Sequence, residues 1–598
     1  MIGIGNASPK NVITDRSVAG GGKSNVWIVL CLCMVAAFYF VWLNRVLYQV
    51  QSPFFDSLSY FEKLHRVMSL TRSEGMLAGF SETLNGSNTV FLPFLISIPL
   101  AYFIEPCREI GIGIQIVELF FVLWSADIYM RRVAKSNRES RLAVEVAFLG
   151  LGCLYYQNGG ISDFRMDLSL MLFYATSSLW LLTAISDWRI SSFFTFGVAM
   201  GIACLFRATA PVYFVIAFTP IVVITFVRSW TDRSRTMQLF LGLSLAGFST
   251  LVISGWYYAL NYSYLHHYYV VWNTDANANL PWLESLGHLK LAVRGAGNPA
   301  IALAIILSIV LIGRRRLVKQ PGRNSPRPSI ANHFRGIDWR WGWIAIAPLA
   351  ILIIRRAGLN PFVSMPTIAG AFFLIAFWHQ ELFRTATLGQ RRTAWALILL
   401  CVVGAGTRGW LKHSFTKNGS MASHRLIIDL IAEDAAKSGL RQIRFGTLQT
   451  TELCTSSLWS TVLFDRPDTQ HEQMQIRING IQFMPSRTFF HPAVSDWKSI
   501  RGSNDEERRS ELIRIAQKED DYLVMPSRQT LPFITEEVSQ PVINHHLAPL
   551  KDTLLASGNW VKISGEIEVM PGRTYEVYRR NHGQMADRKP KTQIGQIR

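Results

Sequence analysis

Residues 190–228 read ISSFFTFGVAMGIACLFRATAPVYFVIAFTPIVVITFVR. This stretch consists of two long apolar runs with a single arginine, Arg207, between them. A helix needs about 20 apolar residues to cross the hydrocarbon of a bilayer. Because lipid cannot satisfy exposed backbone polar groups, each run predicts a transmembrane helix, and Arg207 lies where both helices end.

Similar runs recur along the first two-thirds of the chain. Candidate spans lie near 26–48, 110–129, 142–157, 168–185, 190–206, 209–228, 239–262, 298–312, 342–354, 359–378 and 393–411. The first run is too long for the core of a signal peptide, and no small-residue cleavage site follows it, so we expect it to remain as a helix. Composition agrees, since 49% of the residues are hydrophobic and only 17% are charged, against about 25% in a typical soluble domain.

Basic residues give the predicted orientation of the spans, because Lys and Arg resist translocation. If the segment 89–104 does not cross, every cytoplasmic loop holds at least three Lys or Arg, and the outer loops after 157, 206, 262 and 354 hold one or two each. If 89–104 crosses, this pattern is lost. We therefore interpret 89–104, which carries Pro93 and Pro99, as an interfacial or re-entrant segment. The net charge of +19 lies largely in such short loops, so we expect no nucleic-acid partner.

The predicted fold class is an α-helical polytopic membrane protein, with about 11–13 transmembrane helices and a C-terminal soluble α/β domain. Its parts are a cytoplasmic tail 1–25, a transmembrane domain 26–412 with outer loops 49–109, 158–167 and 263–297 and a cytoplasmic loop 313–341, and an extracytoplasmic domain 413–598. In the last part we predict helices at 422–438 and 505–518, strands at 442–448 and 522–525, and a hairpin at 560–579.

Acidic residues mark two of the outer loops. Asp56 follows the first span closely, and a carboxylate at this interfacial depth is partly desolvated, so a cation or a substrate hydroxyl would stabilise it. An N-cap of a helix over 57–68 explains Asp56 as well. The second loop carries Asp163, Arg165 and Asp167 directly before a span, where capping and a local salt bridge are the alternative. The predicted topology places all three acids on one membrane face.

Arginines at the outer ends of spans are candidates for phosphate binding. The planar guanidinium suits phosphate oxygens, and Arg207 has the expected position. Arg355 and Arg356 form a second cationic spot on the same face. Snorkelling of a long side chain towards the interface is the alternative for each of them.

The loop after Tyr262 is rich in aromatic residues and includes His266 and His267. An interfacial aromatic belt is one interpretation. The other is a wall against a sugar ring, in which the two histidines contact the donor or the acceptor. Adjacent histidines are a weak metal signal, because neighbours on a helix or strand point apart.

Two acids lie inside a predicted span. Glu118 is near its middle, where a carboxylate is a functional candidate, although a protonated carboxyl bonded to a neighbouring helix explains it equally. Asp127 lies four residues before Arg131, and a pair along the helix accounts for it. The motifs GxxxxGK[ST] and GxGxxG do not occur, which argues against an ATPase domain and against a nucleotide-sugar site in the first 412 residues.

The order of these features resembles the polytopic, lipid-dependent glycosyltransferases of the GT-C fold, in particular the bacterial branch related to protein mannosyltransferases and aminoarabinose transferases. The resemblance covers about 26–412 and its motifs are short and degenerate. The matching residues are Phe55, Asp56 and Tyr60 in the first outer loop, Pro93 and Pro99, Asp163 and Asp167, and the segment from Gly201 to Arg207. Many members carry Asp-Glu in the first loop, whereas Ser57 follows Asp56 here.

The resemblance implies an enzyme that uses a polyprenyl-phosphate-linked sugar outside the cytoplasm, in a bacterial inner membrane, to build a cell-envelope glycan. The acceptor is then a hydroxyl of a glycan, a lipid or a protein. Asp56 becomes the candidate base, with inversion at the sugar carbon, and Tyr60, Asp163, Arg165 and Asp167 become candidate donor or acceptor contacts. We expect no metal cofactor, although a divalent metal stays open.

Two other functional classes fit a multi-pass chain. A transporter or flippase usually shows matched halves with broken helices at the midplane, and no such repeat is evident here. A non-catalytic membrane assembly protein would need no carboxylate at the interface, so Asp56→Asn would leave its activity intact.

Overall fold

The structure, a computed structural model, describes about two-thirds of the chain. The described residues are 25–48, 56–84, 92–153, 164, 166–266, 281–290, 339–354, 366–370, 373, 387–415, 421–448, 459, 462–463, 470–472, 475–478, 480–483, 487–490, 502–527, 548–570 and 573–581. For some helix ends, including 56–59, the description covers the backbone alone.

Helices dominate the first 415 residues. They are α1 (Val26–Tyr48), α2 (Asp56–Glu74), α3 (Met76–Leu84), α4 (Leu92–Leu100), α5 (Arg108–Arg132), α6 (Arg138–Cys153), α7 (Met166–Asp187), α8 (Ile190–Phe206), α9 (Ala210–Ser229), α10 (Arg233–Thr250), α11 (Trp256–His266), α12 (Trp282–Ser285), α13 (Trp339–Ile354) and α14 (Leu388–Phe415). A π-helical turn, Leu251–Gly255, joins α10 to α11.

The predicted spans appear as helices wherever the structure describes them. Among the described residues, four helical stretches are long and apolar enough to cross a membrane: Arg108–Arg132, Met166–Asp187, Ala210–Ser229 and Arg233–His266. Shorter apolar helices cover Val26–Trp42, Ile190–Phe206 and Trp339–Ile354. The predicted span 298–312 lies outside the described residues.

Three helices between α1 and α5 are of a different kind. Helix α4 lies within 89–104, the segment interpreted as interfacial or re-entrant. It has nine residues, far fewer than the about 20 that a span needs. Helix α2 is amphipathic: Phe61, Leu64 and Val67 are fully buried, while charged residues occupy the other face. Helix α2 packs against both α3 and α4.

Contacts between helices define one end of the bundle, which we call the basic end. Glu139 at the start of α6 accepts hydrogen bonds from Arg391 and Trp395 of α14, at 2.9 and 3.3 Å. Arg132 at the end of α5 lies 3.5 Å from Asp187 at the end of α7. These residues are at the positions where the charge pattern predicts the cytoplasmic ends of the spans.

A buried polar cluster lies near the basic end. Arg141 Nε is 3.6 Å from Asp127 Oδ1, and Asn25 donates to Glu145 across 3.1 Å. The expected partner of Asp127 was Arg131 on the same helix. That expectation is incomplete, because the described ion pair of Asp127 crosses to α6.

The C-terminal part is an α/β domain, as predicted. Its helices are α15 (Met421–Lys437), α16 (Asp505–Glu519) and α17 (Ala548–Ala556), and its strands are β1 (Gln442–Ile443), β2 (Phe445–Leu448), β3 (Gln470–Glu472), β4 (Gln475–Ile478), β5 (Ile481–Phe483), β6 (Arg487–Phe490), β7 (Tyr522–Pro526), β8 (Trp560–Lys562), β9 (Ile567–Met570) and β10 (Arg573–Arg580). One sheet has the order β1-β5-β4-β3, and the other β6-β2-β7-β10-β8 with β9 beside β10.

The larger sheet is mixed. Strand β2 pairs in parallel with β6 and β7, and β10 pairs antiparallel with β7, β8 and β9. The predicted strand 442–448 is broken at Arg444, whose backbone N–H donates to Asp521. The predicted hairpin 560–579 is confirmed in its second half, where β9 and β10 pair, and β8 adds to the other end of β10.

Candidate active site

Three helical elements meet at the end of the bundle opposite to the basic end, and Arg207 joins them. Its Nη2 lies 3.2 Å from Oδ1 of Asp167 at the start of α7. Its Nη1 donates to the hydroxyl of Tyr60, on α2, across 3.4 Å. Tyr213, near the start of α9, lies close enough for the charges of Arg207 and Asp167 to act on its hydroxyl. We call Tyr60, Asp167, Arg207 and Tyr213 the Arg207 cluster.

Asp167 is the buried acid of this cluster. It lies in the first turn of α7 and is 1% exposed, and the positive end of the helix dipole favours a carboxylate there. One oxygen faces Arg207. The other, Oδ2, is buried and accepts no hydrogen bond from the described residues. A buried acceptor without a donor costs about 1–3 kcal/mol, so Oδ2 is suited to accept from a substrate hydroxyl.

Arg207 owes its position to the break between α8 and α9. Its backbone is extended, with φ −148° and ψ 124°, and its N–H donates to the carbonyl of Ala203. Ala210 donates in turn to the carbonyl of Arg207, and Pro211 fits the first turn of α9 because a proline there sacrifices no helical hydrogen bond. Arg207 therefore lies between α8 and α9, and its side chain starts where both of these helices end.

Asp56 is the first residue of α2, and its side chain is outside the description. Residues four apart lie on the same face of a helix, so Asp56 occupies the face of α2 that presents Tyr60 to Arg207. The backbone thus brings the first residue of α2 and the first turn of α7 to one end of the bundle, as the charge-based topology predicts.

Lys63 belongs to the same face of α2, one turn beyond Tyr60. Its Nζ donates to the carbonyl of Thr83 across 3.3 Å and lies 5.2 Å from the centre of the Phe94 ring. Burial lowers the pKa of Lys63 to about 8, and the carboxylate of Glu82 partly offsets this effect. Sequence reasoning missed Lys63, although its spacing from Asp56 and Tyr60 was a usable signal.

Phe164, in the second outer loop, packs against α2 and α5. Its ring centre lies 5.2 Å from that of Phe61, and its ring fills the space where a side chain on Gly111 would stand. The guanidinium of Arg108, which is 5% exposed, lies 5.7 Å from the Phe61 ring. Arg108 is a second buried cation beside α2 that the sequence did not single out.

Several predicted site residues lie outside the described part of the chain. They are Asp163, Arg165, His267, Arg355 and Arg356, and their roles stay predictions. His266 is the exposed last residue of α11, with its ring centre 5.8 Å from that of Tyr262. The described contacts of His266 do not include the Arg207 cluster.

Glu118 lies near the middle of α5, closer to the centre of the bundle than the Arg207 cluster. It is 3% exposed on α5, and the hydroxyl of Ser169, two residues after Asp167 on α7, lies close enough to interact with its carboxyl. Its partner could not be named from the sequence because the contact crosses between spans. Among the described residues, no three His, Cys, Asp or Glu side chains lie together in a way that could hold a metal ion.

The chain resembles known proteins in its structure but not in its sequence. No protein-family model and no curated protein matches the chain. Among solved structures, ArnT from Cupriavidus metallidurans, bound to undecaprenyl phosphate, is similar with a TM-score of 0.53 and 11% sequence identity, over 93% of this chain and 98% of that chain. The chain has the GT-C fold. The resemblance predicted from the order of motifs is therefore confirmed at the level of the fold.

Further structures match the GT-C chain at lower scores. The oligosaccharyltransferase of Archaeoglobus fulgidus, tethered to an acceptor peptide, has a TM-score of 0.45 at 10% identity, over 83% of this chain and 69% of that chain. AglB from the same organism, in complex with an inhibitory peptide and a dolichol-phosphate, has 0.43 at 10% identity, over 84% and 69%.

Proposed function

We propose that the protein is a membrane glycosyltransferase that moves a sugar from a polyprenyl-phosphate donor to an acceptor hydroxyl on the non-cytoplasmic face. The observation that carries this proposal is the contact of Arg207 with both Tyr60 and Asp167, at the end of the bundle where Asp56 begins α2. A GT-C neighbour bound to undecaprenyl phosphate supports the choice of donor.

The Arg207 cluster suits a lipid phosphate. The lipid tail would stay in the bilayer and bring the phosphate to the depth at which the spans end. Arg207 emerges there between α8 and α9, and a guanidinium carries five N–H donors in a fixed fork. Lys63 on the Tyr60 face of α2 supplies a second cation. In the proposed complex, Arg355 and Arg356 contribute further positive charge on the same face.

The transfer is a displacement at the anomeric carbon. The acceptor oxygen forms a bond to that carbon as the carbon–oxygen bond to the phosphate breaks, and the electron pair stays on the phosphate oxygen. Asp56 takes the proton of the acceptor hydroxyl as a general base. Arg207 neutralises the charge that develops on the polyprenyl phosphate. Attack opposite to the leaving group inverts the configuration of the sugar carbon.

The remaining outer residues would hold the sugars. The buried Oδ2 of Asp167 accepts from a sugar hydroxyl, and Tyr60, Asp163 and Arg165 line the same approach. His266 and His267 extend the wall at the end of α11. The charge pattern supports a position of this face and of the soluble domain outside the cytoplasm, and the resemblance to the bacterial transferases supports a bacterial inner membrane. The role of the soluble domain would be to recognise the glycan, lipid or protein acceptor. No metal is assigned a role.

The proposal is tested by reconstitution in proteoliposomes with a panel of polyprenyl-phosphate hexoses and pentoses and a membrane extract as acceptor. We expect the wild type to release polyprenyl phosphate and to transfer the sugar, with inverted configuration. Asp56→Asn should lower transfer at least 100-fold, the low end for a general base, while the binding of polyprenyl phosphate persists.

A matched control is available at the basic end. Asp232 caps α10 by accepting from the N–H of Arg235 across 3.1 Å, and asparagine caps a helix equally well. Asp232→Asn should therefore leave transfer unchanged. Full transfer by Asp56→Asn, or solute flux in vesicles that lack any lipid-linked donor, would contradict the proposal.

A further inference from the structure

The helical stretch that covers the predicted span 239–262 contains one extra residue. Arg233–His266 is continuous, but Leu251–Gly255 is a π-helical turn between α10 and α11. A π-helical turn inserts one residue into an α-helix, and such bulges occur frequently at functional sites. Sequence periodicity did not reveal it, since lipid-facing and buried residues of this helix are both apolar.

The π turn changes which residues of α11 face the bundle. Before it, the buried positions follow ordinary helical steps and include Ala246 and Ser249. Continued steps of three and four would bring Leu260 and Tyr264 to the buried side, yet they are 69% and 42% exposed. Tyr257, at 1% exposure, still follows the ordinary steps, but the next buried residue is Leu265, at 7% exposure, and both pack with Leu205 of α8. Beyond Tyr257 the buried side of α11 is therefore displaced by one residue.

Close packing against α8 holds the π turn in place. A Cβ on Gly201 would lie 2.8 Å from the Cβ of Ile253, inside the turn. One turn earlier, the hydroxyl of Thr250 donates to the carbonyl of Gly197 across 2.9 Å. Ser254 donates to the carbonyl of Thr250, so that its hydroxyl satisfies a backbone acceptor within the turn.

Tyr258 then reaches the backbone on both sides of Arg207. Its hydroxyl lies 3.3 Å from the carbonyl of Cys204 and 3.3 Å from the carbonyl of Ala208. The last carbonyls of a helix have no donor within that helix. The hydroxyl of Tyr258 provides such a donor at the end of α8. A hydroxyl has one proton, so it serves these two carbonyls in turn.

We propose that Tyr258 is a positioning residue for Arg207, and that the π turn exists to place it there. The inference rests on the proposed function, because it concerns how Arg207 meets the donor phosphate. Tyr258 fixes the extended backbone from which the guanidinium reaches Asp167 and Tyr60. Without its hydroxyl, the α8–α9 connection relaxes and Arg207 samples other positions.

The test compares the affinity for polyprenyl phosphate with that for polyprenol of the same length, on the full chain in nanodiscs. Tyr258→Phe should weaken binding of polyprenyl phosphate about fivefold, the effect of one hydrogen bond, and leave polyprenol binding unchanged. In an Arg207→Met background, Tyr258→Phe should have no further effect, because there is no guanidinium left to position. Tyr129→Phe, which removes a buried hydroxyl that accepts from Trp341 at the basic end, should not alter binding in either background.

The outcomes separate this inference from the proposed function. If Tyr258→Phe weakens binding equally with and without Arg207, or in neither background, Tyr258 does not position Arg207. If the wild type binds polyprenyl phosphate no better than polyprenol, the proposed function itself fails. Deletion of Val252, which is 58% exposed in the π turn, should reproduce the loss seen in Tyr258→Phe, and wild-type binding by this variant would show that the π turn does not place Tyr258.

Discussion

Asp167 and Arg207 form an ion pair in which both side chains are largely withdrawn from solvent, at 2% and 15% exposure. The pair connects the start of α7 to the junction of α8 and α9. A buried ion pair is weak evidence for stability, because desolvation opposes the attraction of the charges. Its presence at the end of the bundle that carries Asp56 therefore favours a role in binding over a role in folding.

This difference leads to the first prediction. Asp167→Asn should destabilise the fold by about 3–5 kcal/mol, because it leaves a buried guanidinium without its carboxylate. The double change Asp167→Leu with Arg207→Met should recover most of that stability and yet bind polyprenyl phosphate poorly. Thermal unfolding and lipid binding, measured on the same nanodisc samples, check both statements. Sugar transfer at the wild-type rate by the double variant would show that the pair is structural only.

The matched control for this prediction is the pair at the basic end. Asp187 lies 3.5 Å from Arg132, at 12% and 32% exposure. Asp187→Asn should lower stability less than Asp167→Asn does, since both partners are more exposed. It should leave the affinity for polyprenyl phosphate unchanged.

The second prediction concerns Lys63 and pH. The pKa of Lys63 is lowered to about 8 by burial, so its charge is present below that pH and is lost as the pH rises through it. If Lys63 helps to hold the donor phosphate, the KM for donor should rise between about pH 7 and pH 9. Lys63→Arg should remove this step, because arginine stays charged, and Lys63→Met should raise KM at every pH. Lys437, fully exposed on α15, provides the control: Lys437→Met should leave the pH profile as it is.

A third prediction concerns the soluble domain. Glu576 on β10 accepts from Lys551, Lys562 and Tyr578 at 2.9, 2.7 and 2.7 Å. Burial opposes its ionised form, but these donors outweigh burial and lower its pKa to about 2. A lowered carboxyl pKa stabilises the fold above the unfolded value of about 4.3, and that stability is lost as the pH falls towards 2. The protection factor of the peptide 573–580 in hydrogen exchange, corrected for the intrinsic exchange rate at each pH, should therefore fall through this window in the full chain.

Glu576→Gln should remove much of that pH dependence. It should also accelerate exchange of β10 at pH 7, since hydrogen bonds to a charged group contribute about 1.5–3 kcal/mol each and Lys551 loses its buried partner. Glu506→Gln, an exposed change on α16, should leave exchange in β10 unaltered. An identical pH profile in Glu576→Gln and wild type would assign the acid sensitivity to other carboxyls.

The sequence predicted the parts of this fold whose physics is local. The apolar runs predicted the spans, and the charges between them predicted on which side of the membrane each loop lies. Arg207, a cation between two apolar runs, predicted the break between α8 and α9. Contacts that cross between elements were not accessible. The pairing of Asp127 with Arg141, the burial of Arg108 against Phe61, and the contact of Lys63 with the carbonyl of Thr83 each depend on how separate helices pack.

The π turn is the most instructive omission. In a soluble protein a shift of the buried face shows in the alternation of polar and apolar residues. Here α10 and α11 face lipid on the other side, so both faces are apolar and the shift leaves no trace in the pattern. The glycines of α8 were the only local sign, because they permit the close approach that the turn requires.

Those glycines provide the final prediction. Gly201→Ala would place a methyl group 2.8 Å from the Cβ of Ile253, and neither backbone can move without disturbing the π turn. We expect a loss of about 1–3 kcal/mol in stability, as for other overpacked sites, and weaker binding of polyprenyl phosphate, because Tyr258 would be drawn away from the Arg207 backbone. Gly113 on α5 has no neighbour within 4 Å of an added Cβ, so Gly113→Ala should gain up to about 1 kcal/mol from helix propensity. Equal behaviour of the two variants in lipid binding would separate the packing of α8 from the function of Arg207.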